Sequence, residues 1–171
     1  MVLAPYSGMM LPPGMGSPVY STDHDIMGMI YGSPHLCLFA THCVIDGASR
    51  DAGNTADTTV LRSGLIMAQN SSTQKWTQFT SGGSNDTGVP KGILCILGLN
   101  TQMDGGNQDR FLATIMVKGN VNPEALCIAS TAAYGLDKAT AAHVAVRKAL
   151  ALNFMFSDDF QNIVGVPIAN R

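Results

Sequence analysis

The densest group of side chains able to bind a metal or attack a substrate lies in residues 35–45, HLCLFATHCVI. It contains His35, Cys37, His42 and Cys43, and a zinc site would need four such ligands to converge within about 2.3 Å of the metal. In an extended strand, Cys37 and Cys43 share one face but lie about 20 Å apart, while His42 points to the opposite face. Since no CxxC or HxxxH spacing brings these ligands together, we expect ordinary strand residues here. A metal-dependent enzyme is therefore the weakest of our hypotheses.

The other motifs that resemble chemical sites are each incomplete. In residues 23–25, Asp-His-Asp, an extended backbone points both carboxylates one way and the imidazole the other, so no triad forms. Residues 47–51, GASRD, lack the final glycine of a nucleophile elbow. Residues 104–109, DGGNQD, match half of a calcium loop, but Ile115 stands where the closing glutamate belongs. Residues 83–91 lack the G-K-[ST] ending of a phosphate-binding loop. We predict no catalytic, cofactor-binding or metal site.

Composition points to contact with other protein chains. Only 13% of the 171 residues are charged while 46% are hydrophobic, and ordinary soluble domains carry roughly 25% charged residues. No apolar run approaches the roughly 18 residues of a membrane span, so we expect no membrane partner. Interfaces of permanent assemblies resemble a domain core and exclude charge at their centres. The composition therefore predicts a homo-oligomer or an assembly component.

The distribution of charge argues against nucleic acid as a direct partner. The net charge is −2, and no lysine or arginine precedes Arg50. This excludes a basic secretory or transit segment and a basic arm that would neutralise phosphates. The four cysteines, Cys37, Cys43, Cys95 and Cys127, are widely spaced in apolar surroundings, and we expect buried free thiols in a protein folded in a reducing cytosol.

The chain divides into a front segment, residues 1–59, and a β domain, residues 60–171. Residues 1–34 contain five of the eight prolines and six of the ten methionines. Proline disfavours a helix or a central strand, whereas the apolar side chains require a protein surface. We expect an extended arm that either adds to a partner's sheet edge or folds back on its own domain. Residues 46–59 are a polar loop.

Short apolar runs separated by turn residues predict a mostly β domain. Strands are expected over residues 35–45, 64–68, 75–79, 92–99 and 111–118, with Phe111, Ala113, Ile115 and Val117 on one face of the last. Residues 137–153 predict a helix with Asp137 as its N-cap, with Arg147 at the margin of its packed face. Asp158 and Asp159 are expected in a polar turn. The predicted fold class is α+β, mostly β: a small β-tulip or β-sandwich-like domain with one packed C-terminal helix and a long N-terminal arm.

Three short motifs resemble those of phage lambda-type head decoration (cement) proteins. They are residues 62–65, RSGL, residues 92–94, GIL, and residues 117–122, VKGNVN. An alanine-rich stretch at residues 139–152 matches the family's C-terminal segment, so the resemblance covers about residues 61–156. The long front segment, residues 1–59, departs from the compact members of that family.

The resemblance implies a virion structural protein without enzymatic activity or cofactor. Such a protein assembles as a homotrimer on the outer surface of the expanded capsid, after synthesis in the host cytoplasm. Its partner would be the major capsid protein, against which the N-terminal arm becomes ordered, and the trimer would stabilise the head against internal DNA pressure. The alternative is another virion structural module, such as a tail, neck or fibre component.

Overall fold

The apolar runs of the sequence form the strands of one mixed sheet, against which an α-helix packs. The computed structural model describes residues 29–30, 36–95, 101–103 and 108–159. The fold class is confirmed as α+β, mostly β. The strands are β1 (Leu38–Ile45), β2 (Val60–Leu61), β3 (Ile66–Gln69), β4 (Trp76–Gln78), β5 (Gly92–Leu94), β6 (Thr101–Gln102), β7 (Arg110–Val121) and β8 (Phe154–Phe156), and the helix is α1 (Ala141–Leu150). Of the predicted arm, residues 1–34, the structure describes only Met29 and Ile30.

Five strands form a closed circuit. The six-stranded sheet has the order β1-β4-β3-β5-β7-β8, and β1 also pairs with β7. The β1–β7 ladder is antiparallel and runs from Leu38 opposite Lys118 to Ile45 opposite Arg110. At the far end of β1, Ile45 meets Trp76 of β4 in a short parallel contact that completes the circuit. Strand β8 pairs in parallel with the last part of β7. Strands β2 and β6 form a separate two-stranded antiparallel sheet.

Each of the five strands in the circuit contributes to an inner apolar cluster. The members of this inner cluster include Ile45, Met67, Trp76, Leu94 and Ile115. Because side chains alternate along a strand, their sequence neighbours point outwards, and these form a second cluster with the helix.

The outer cluster lies between the sheet and α1. It contains Ile66, Ile93 and Met116 from the sheet and Val146 and Leu150 from the helix. The middle of β7 is therefore buried on both faces, with Met116 in the outer cluster and Ile115 in the inner one. Three members of the predicted face of β7 lie on the inner side, where Ala113 and Ile115 are buried and Val117 packs against the inner cluster. The fourth member, Phe111, is 64% exposed.

The helix is shorter than the predicted 137–153, and its N-cap is Thr140. The assignment of Asp137 as N-cap was wrong because its carboxylate holds the turn before the helix. It accepts the backbone N–H groups of Ala139 at 2.7 Å and Thr140 at 2.5 Å, and the Thr140 hydroxyl at 2.9 Å. Among the described residues, no helix combines the length and apolar content needed to cross a bilayer.

Strand β1 comes from the front segment yet is a full member of the sheet. It is irregular: its register against β7 shifts between Ala40 and Cys43, and His42 has a φ of 60°. The division of the chain at residue 59 stays a prediction, although β1 shows that residues on both sides of it share one sheet.

Candidate functional site

A buried ion pair joins the loop after β1 to the segment before β3. The Asp51 carboxylate is completely buried and Arg62 is 6% exposed. Arg62 Nε donates to Asp51 Oδ2 at 2.7 Å and Nη2 donates to Oδ1 at 2.9 Å, which is a bidentate pairing. The backbone N–H of Arg62 adds a third hydrogen bond to Oδ2 at 3.2 Å. These hydrogen bonds with Asp51 raise the pKa of the Arg62 guanidinium, so it stays charged.

The remaining donors of Arg62 bind the backbone after β7. Nη1 donates to the carbonyl of Ala132 and Nη2 to that of Thr131, both at 2.7 Å. The guanidinium carbon also lies 5.3 Å from the centre of the Tyr134 ring. Arg62 is thus used to join three segments of the chain, which is a structural role.

A second ionic cluster holds the last described residues, Asp158 and Asp159, against α1. Arg147 Nη2 donates to Asp158 at 2.6 Å and to Asp159 at 3.1 Å, and its guanidinium lies 4.4 Å from the centre of the Phe156 ring. Lys138 reaches the same two carboxylates at 3.2 and 2.8 Å. Burial raises the pKa of Asp158, but the hydrogen bonds from Arg147 and Lys138 outweigh it and hold that pKa below its usual value.

This cluster corrects two predictions. Arg147 is only 7% exposed, so it lies within the packed face of the helix and not at its margin. Asp158 and Asp159 are its counter-charges and not simply members of a polar turn. The burial of Arg147 could not be predicted from the alanine-rich helix alone, because both of its acidic partners lie beyond the end of that helix.

Cys37, just before β1, and Cys43, within it, do not share one face, and the prediction that they do was wrong. Cys37 packs against the outer cluster and Cys43 against the inner one, and between them the register of β1 against β7 shifts after Leu38 and again after Ala40. His42 is exposed and its Nδ1 lies 3.1 Å from the Thr41 hydroxyl, while His35 lies outside the described residues. In the part of the chain that the structure describes, no three His, Cys, Asp or Glu side chains converge as a metal site would require.

All four thiols are free. The prediction that they are buried is right for Cys95 and Cys127 and wrong for Cys37 and Cys43, which are only partly buried. Burial raises the pKa of Cys95 and of Cys127 to about 12. Thiolates are the reactive form of cysteine, so these two thiols are unreactive in the folded protein.

The other motifs singled out in the sequence have structural partners where the structure describes them. The Ser49 hydroxyl donates to Thr77 Oγ1 at 3.2 Å. Asp109 pairs with Lys75 at 2.7 Å and accepts the Gly47 N–H at 3.1 Å. These hydrogen bonds lower the pKa of Asp109, with Lys75 the main cause. Residues 23–25 and 104–107 lie outside the described part of the chain.

A half-open cleft of about 580 Å³ runs beside α1. Its lining is mainly apolar and includes Phe79, Ile128 and Val146, with Arg50 among its few polar residues. The Arg50 guanidinium donates from Nη1 to the carbonyls of Gly47 at 2.8 Å and Ser49 at 2.7 Å. The cleft has the size of a small-molecule pocket, but the described residues that line it include no paired acid and base.

The first two sequence motifs are hydrogen-bonded to each other, and Val117 of the third packs against the same inner cluster as Leu65 and Leu94. Gly64 donates its N–H to the Leu94 carbonyl at 2.9 Å, and its own carbonyl accepts the Cys127 N–H at 3.0 Å. On the other side of β5, Ile93 pairs with Met116, next to the third motif. Comparison of the chain with protein-family models and with curated proteins found no match.

The three glycines of these motifs occupy positions where a side chain would collide with its neighbours, and on Gly119 a Cβ would lie 2.6 Å from Sγ of Cys37. Gly64 has a φ of +86°, and a Cβ there would lie 2.2 Å from the Ala125 carbonyl oxygen. A Cβ on Gly92 would lie 2.6 Å from Cγ2 of Ile115. Close packing therefore accounts for the glycines of these motifs. From the sequence alone, the motifs were identified only by their resemblance to a known family.

Proposed function

We propose that the chain is a head decoration protein of a tailed phage. It binds the outer surface of the expanded capsid as a homotrimer and stabilises the head against the pressure of the packaged DNA. The observation that carries the proposal is the packing of the three resemblance motifs: Gly64 of the first is hydrogen-bonded to Leu94 of the second, and Val117 of the third packs against the inner cluster that holds Leu65 and Leu94. The motifs are well separated in the sequence, yet their glycines and apolar residues specify one packed centre.

The composition supports the same function on separate grounds. A charge content of 13% suits a chain that buries much of its surface against other subunits. The segment before Arg50 has no lysine or arginine, which suits contact with protein and not with DNA.

The domain also has internal braces suited to a module under mechanical load. Five strands form a closed circuit, and the Asp51–Arg62 pair ties the loop after β1 to the segment after β7. A rigid module that binds only the expanded shell stabilises it by mass action. Three linked subunits strengthen this effect because each bound subunit raises the effective concentration of the next.

The test is to add the purified full-length chain to undecorated expanded heads. We expect co-sedimentation with the heads, a gain in their resistance to heat or chelator, and a trimer by light scattering on the particle or in solution. Unexpanded proheads are the control and should bind much less. Absence of both co-sedimentation and stabilisation would refute the proposal, and location in the tail or neck by electron microscopy would favour the alternative virion module.

A further inference from the structure

The half-open cleft beside α1 has a floor made of core residues. Phe79, Ile128 and Val146 line the cleft, and all three are buried members of the outer cluster. The cleft, with its volume of about 580 Å³, therefore lies directly on a packed apolar surface. Sites for small molecules commonly combine such a volume with a mainly apolar lining and a few polar groups.

Three alanines of α1 help to set the size of the cleft. Ala142, Ala145 and Ala149 all line it. They are spaced three and four positions apart, so they share one face of the helix. Each of them is exposed, and none has a side chain long enough to fill the space beside it. A bulky residue at any of these positions would therefore occupy volume that is now open to a ligand.

The polar part of the lining favours a ligand with a negatively charged group. Arg50 is the one charged side chain among the described residues that line the cleft. Its Nη1 donates to the carbonyls of Gly47 and Ser49. These neutral acceptors hold the guanidinium in position and do not cancel its charge. A guanidinium forms its strongest hydrogen bonds with anionic oxygens such as those of a carboxylate.

Gln78 adds a hydrogen-bond donor next to Arg50. The backbone N–H of Arg50 lies 3.2 Å from Gln78 Oε1, and the Thr77 hydroxyl donates to the same oxygen at 2.9 Å. A backbone N–H can only donate, so the oxygen of the amide faces Arg50 and its nitrogen is directed elsewhere. Within the part of the chain that the structure describes, this nitrogen has no hydrogen-bond partner. It is therefore available to an acceptor bound in the cleft.

We infer that the cleft binds a small organic carboxylate with an apolar body, such as a medium-chain fatty acid. The apolar body lies on the floor formed by Phe79, Ile128 and Val146, and the carboxylate accepts hydrogen bonds from Arg50 and Gln78. A cationic ligand is disfavoured, because the described lining contains no aspartate or glutamate. The inference is independent of the proposed function, since it uses only residues of the cleft.

The experiment is isothermal titration calorimetry of the purified full-length chain, without capsids, using three probes of equal chain length. These are octanoate, 1-octanol and octylammonium, which share an apolar body and differ in the charge of the head group. Octanoate should bind saturably at one site per chain. It should bind roughly tenfold more tightly than 1-octanol, because hydrogen bonds to a charged group are stronger than neutral ones. Octylammonium should bind more weakly than either, since its charge has the same sign as that of Arg50.

Three variants locate the site and test its polarity. Ala145→Phe fills the cleft and should weaken octanoate binding by roughly tenfold or more. The matched control is Ala141→Phe, because Ala141 is exposed on the same helix but does not line the cleft; it should bind like the wild type. Gln78→Glu keeps an acceptor oxygen for Arg50 and Thr77 but replaces the amide donor with a negative oxygen. It should shift the preference from octanoate to octylammonium.

Several results would overturn the inference. Absence of saturable octanoate binding to the wild type would refute it, and would leave the proposed function untouched because no capsid takes part in the assay. Equal affinity for the three probes would refute the choice of a carboxylate. Equal loss of binding in Ala145→Phe and Ala141→Phe would place the binding outside the cleft. A lower melting temperature of Ala145→Phe, without octanoate binding to the wild type, would assign the cleft to a segment of the protein itself. If circular dichroism shows that Ala145→Phe is unfolded, Ala149→Leu replaces it, since Ala149 is also exposed in the lining.

Discussion

Replacement of Asp51 by asparagine should destabilise the domain far more than its small change in size suggests. Asp51→Asn keeps the shape of the side chain but removes the charge that balances Arg62. The carboxylate is completely buried and accepts three hydrogen bonds from Arg62, at 2.7, 2.9 and 3.2 Å. In the variant, one position facing the guanidinium carries an N–H group, so a donor meets a donor in a buried site.

The expected cost follows from this burial. Removing one partner of a buried ion pair costs about 3–5 kcal/mol, because the other charge is left uncompensated. A domain is typically stable by about 5–15 kcal/mol in total, so the loss is a large fraction of it. At about 2–4 °C per kcal/mol for a chain of this size, the melting temperature should fall by about 6–20 °C.

Urea unfolding followed by circular dichroism measures this loss, at two protein concentrations so that any effect of assembly is seen. The control is Asp86→Asn, which removes an exposed pair with Lys91 at 3.4 Å and should cost no more than about 1 kcal/mol. The double variant Asp51→Asn with Arg62→Met should lose less free energy of unfolding than the two single variants lose in sum, because it removes both charges. If Asp51→Asn is no more harmful than Asp86→Asn, the pair is not the brace described above.

Three further outcomes are expected. Gly92→Ala should lower the free energy of unfolding by about 1–3 kcal/mol in urea titrations, since the new Cβ would lie 2.6 Å from Ile115 Cγ2; an unchanged midpoint would show that the sheet centre can relax. Hydrogen bonds, chiefly from the backbone N–H and hydroxyl of Thr140, lower the pKa of Asp137 in the folded state, so its contribution to stability is complete above about pH 4 and is lost as the pH falls towards that lowered pKa. Asp137→Asn should therefore be less stable than the wild type at pH 7, with the difference shrinking below about pH 4, and a difference independent of pH would contradict this. Under native conditions at pH 8, mass spectrometry after iodoacetamide treatment should find Cys95 and Cys127 unmodified until urea unfolds the chain, and rapid native labelling of either would contradict their burial.

The elements that could be predicted were those with a strong local pattern. The apolar runs at residues 64–68, 75–79 and 92–99 contain β3, β4 and β5, of which β5 covers only Gly92–Leu94, and the alanine-rich stretch contains α1. The helix start was misplaced because Asp137 resembles an N-cap but binds Thr140 and Ala139 in the preceding turn. Strand β8 was not predicted, since so short a strand carries too little periodicity to be recognised.

The ion pairs and the faces of β1 could not be predicted, because they depend on contacts between distant residues. Asp51 and Arg62 lie 11 positions apart in irregular segments, where no repeat links them. Within the irregular part of β1, His42 has a positive φ. The sequence does not predict this conformation, because a positive φ is uncommon for residues other than glycine.

The position of β7 determines the order in which the polypeptide can fold as it is synthesised. Strand β1 emerges early, but its partner residues in β7 follow 65–80 positions later. At about 5–20 residues per second, β1 waits roughly 3–16 s on the ribosome before its ladder can form. Pairings separated by so much sequence also form slowly, and the apolar run HLCLFATHCVI is exposed throughout this time. High-level production should therefore favour slow translation, low temperature or added chaperone, since an unpaired β1 is the segment most able to join another nascent chain.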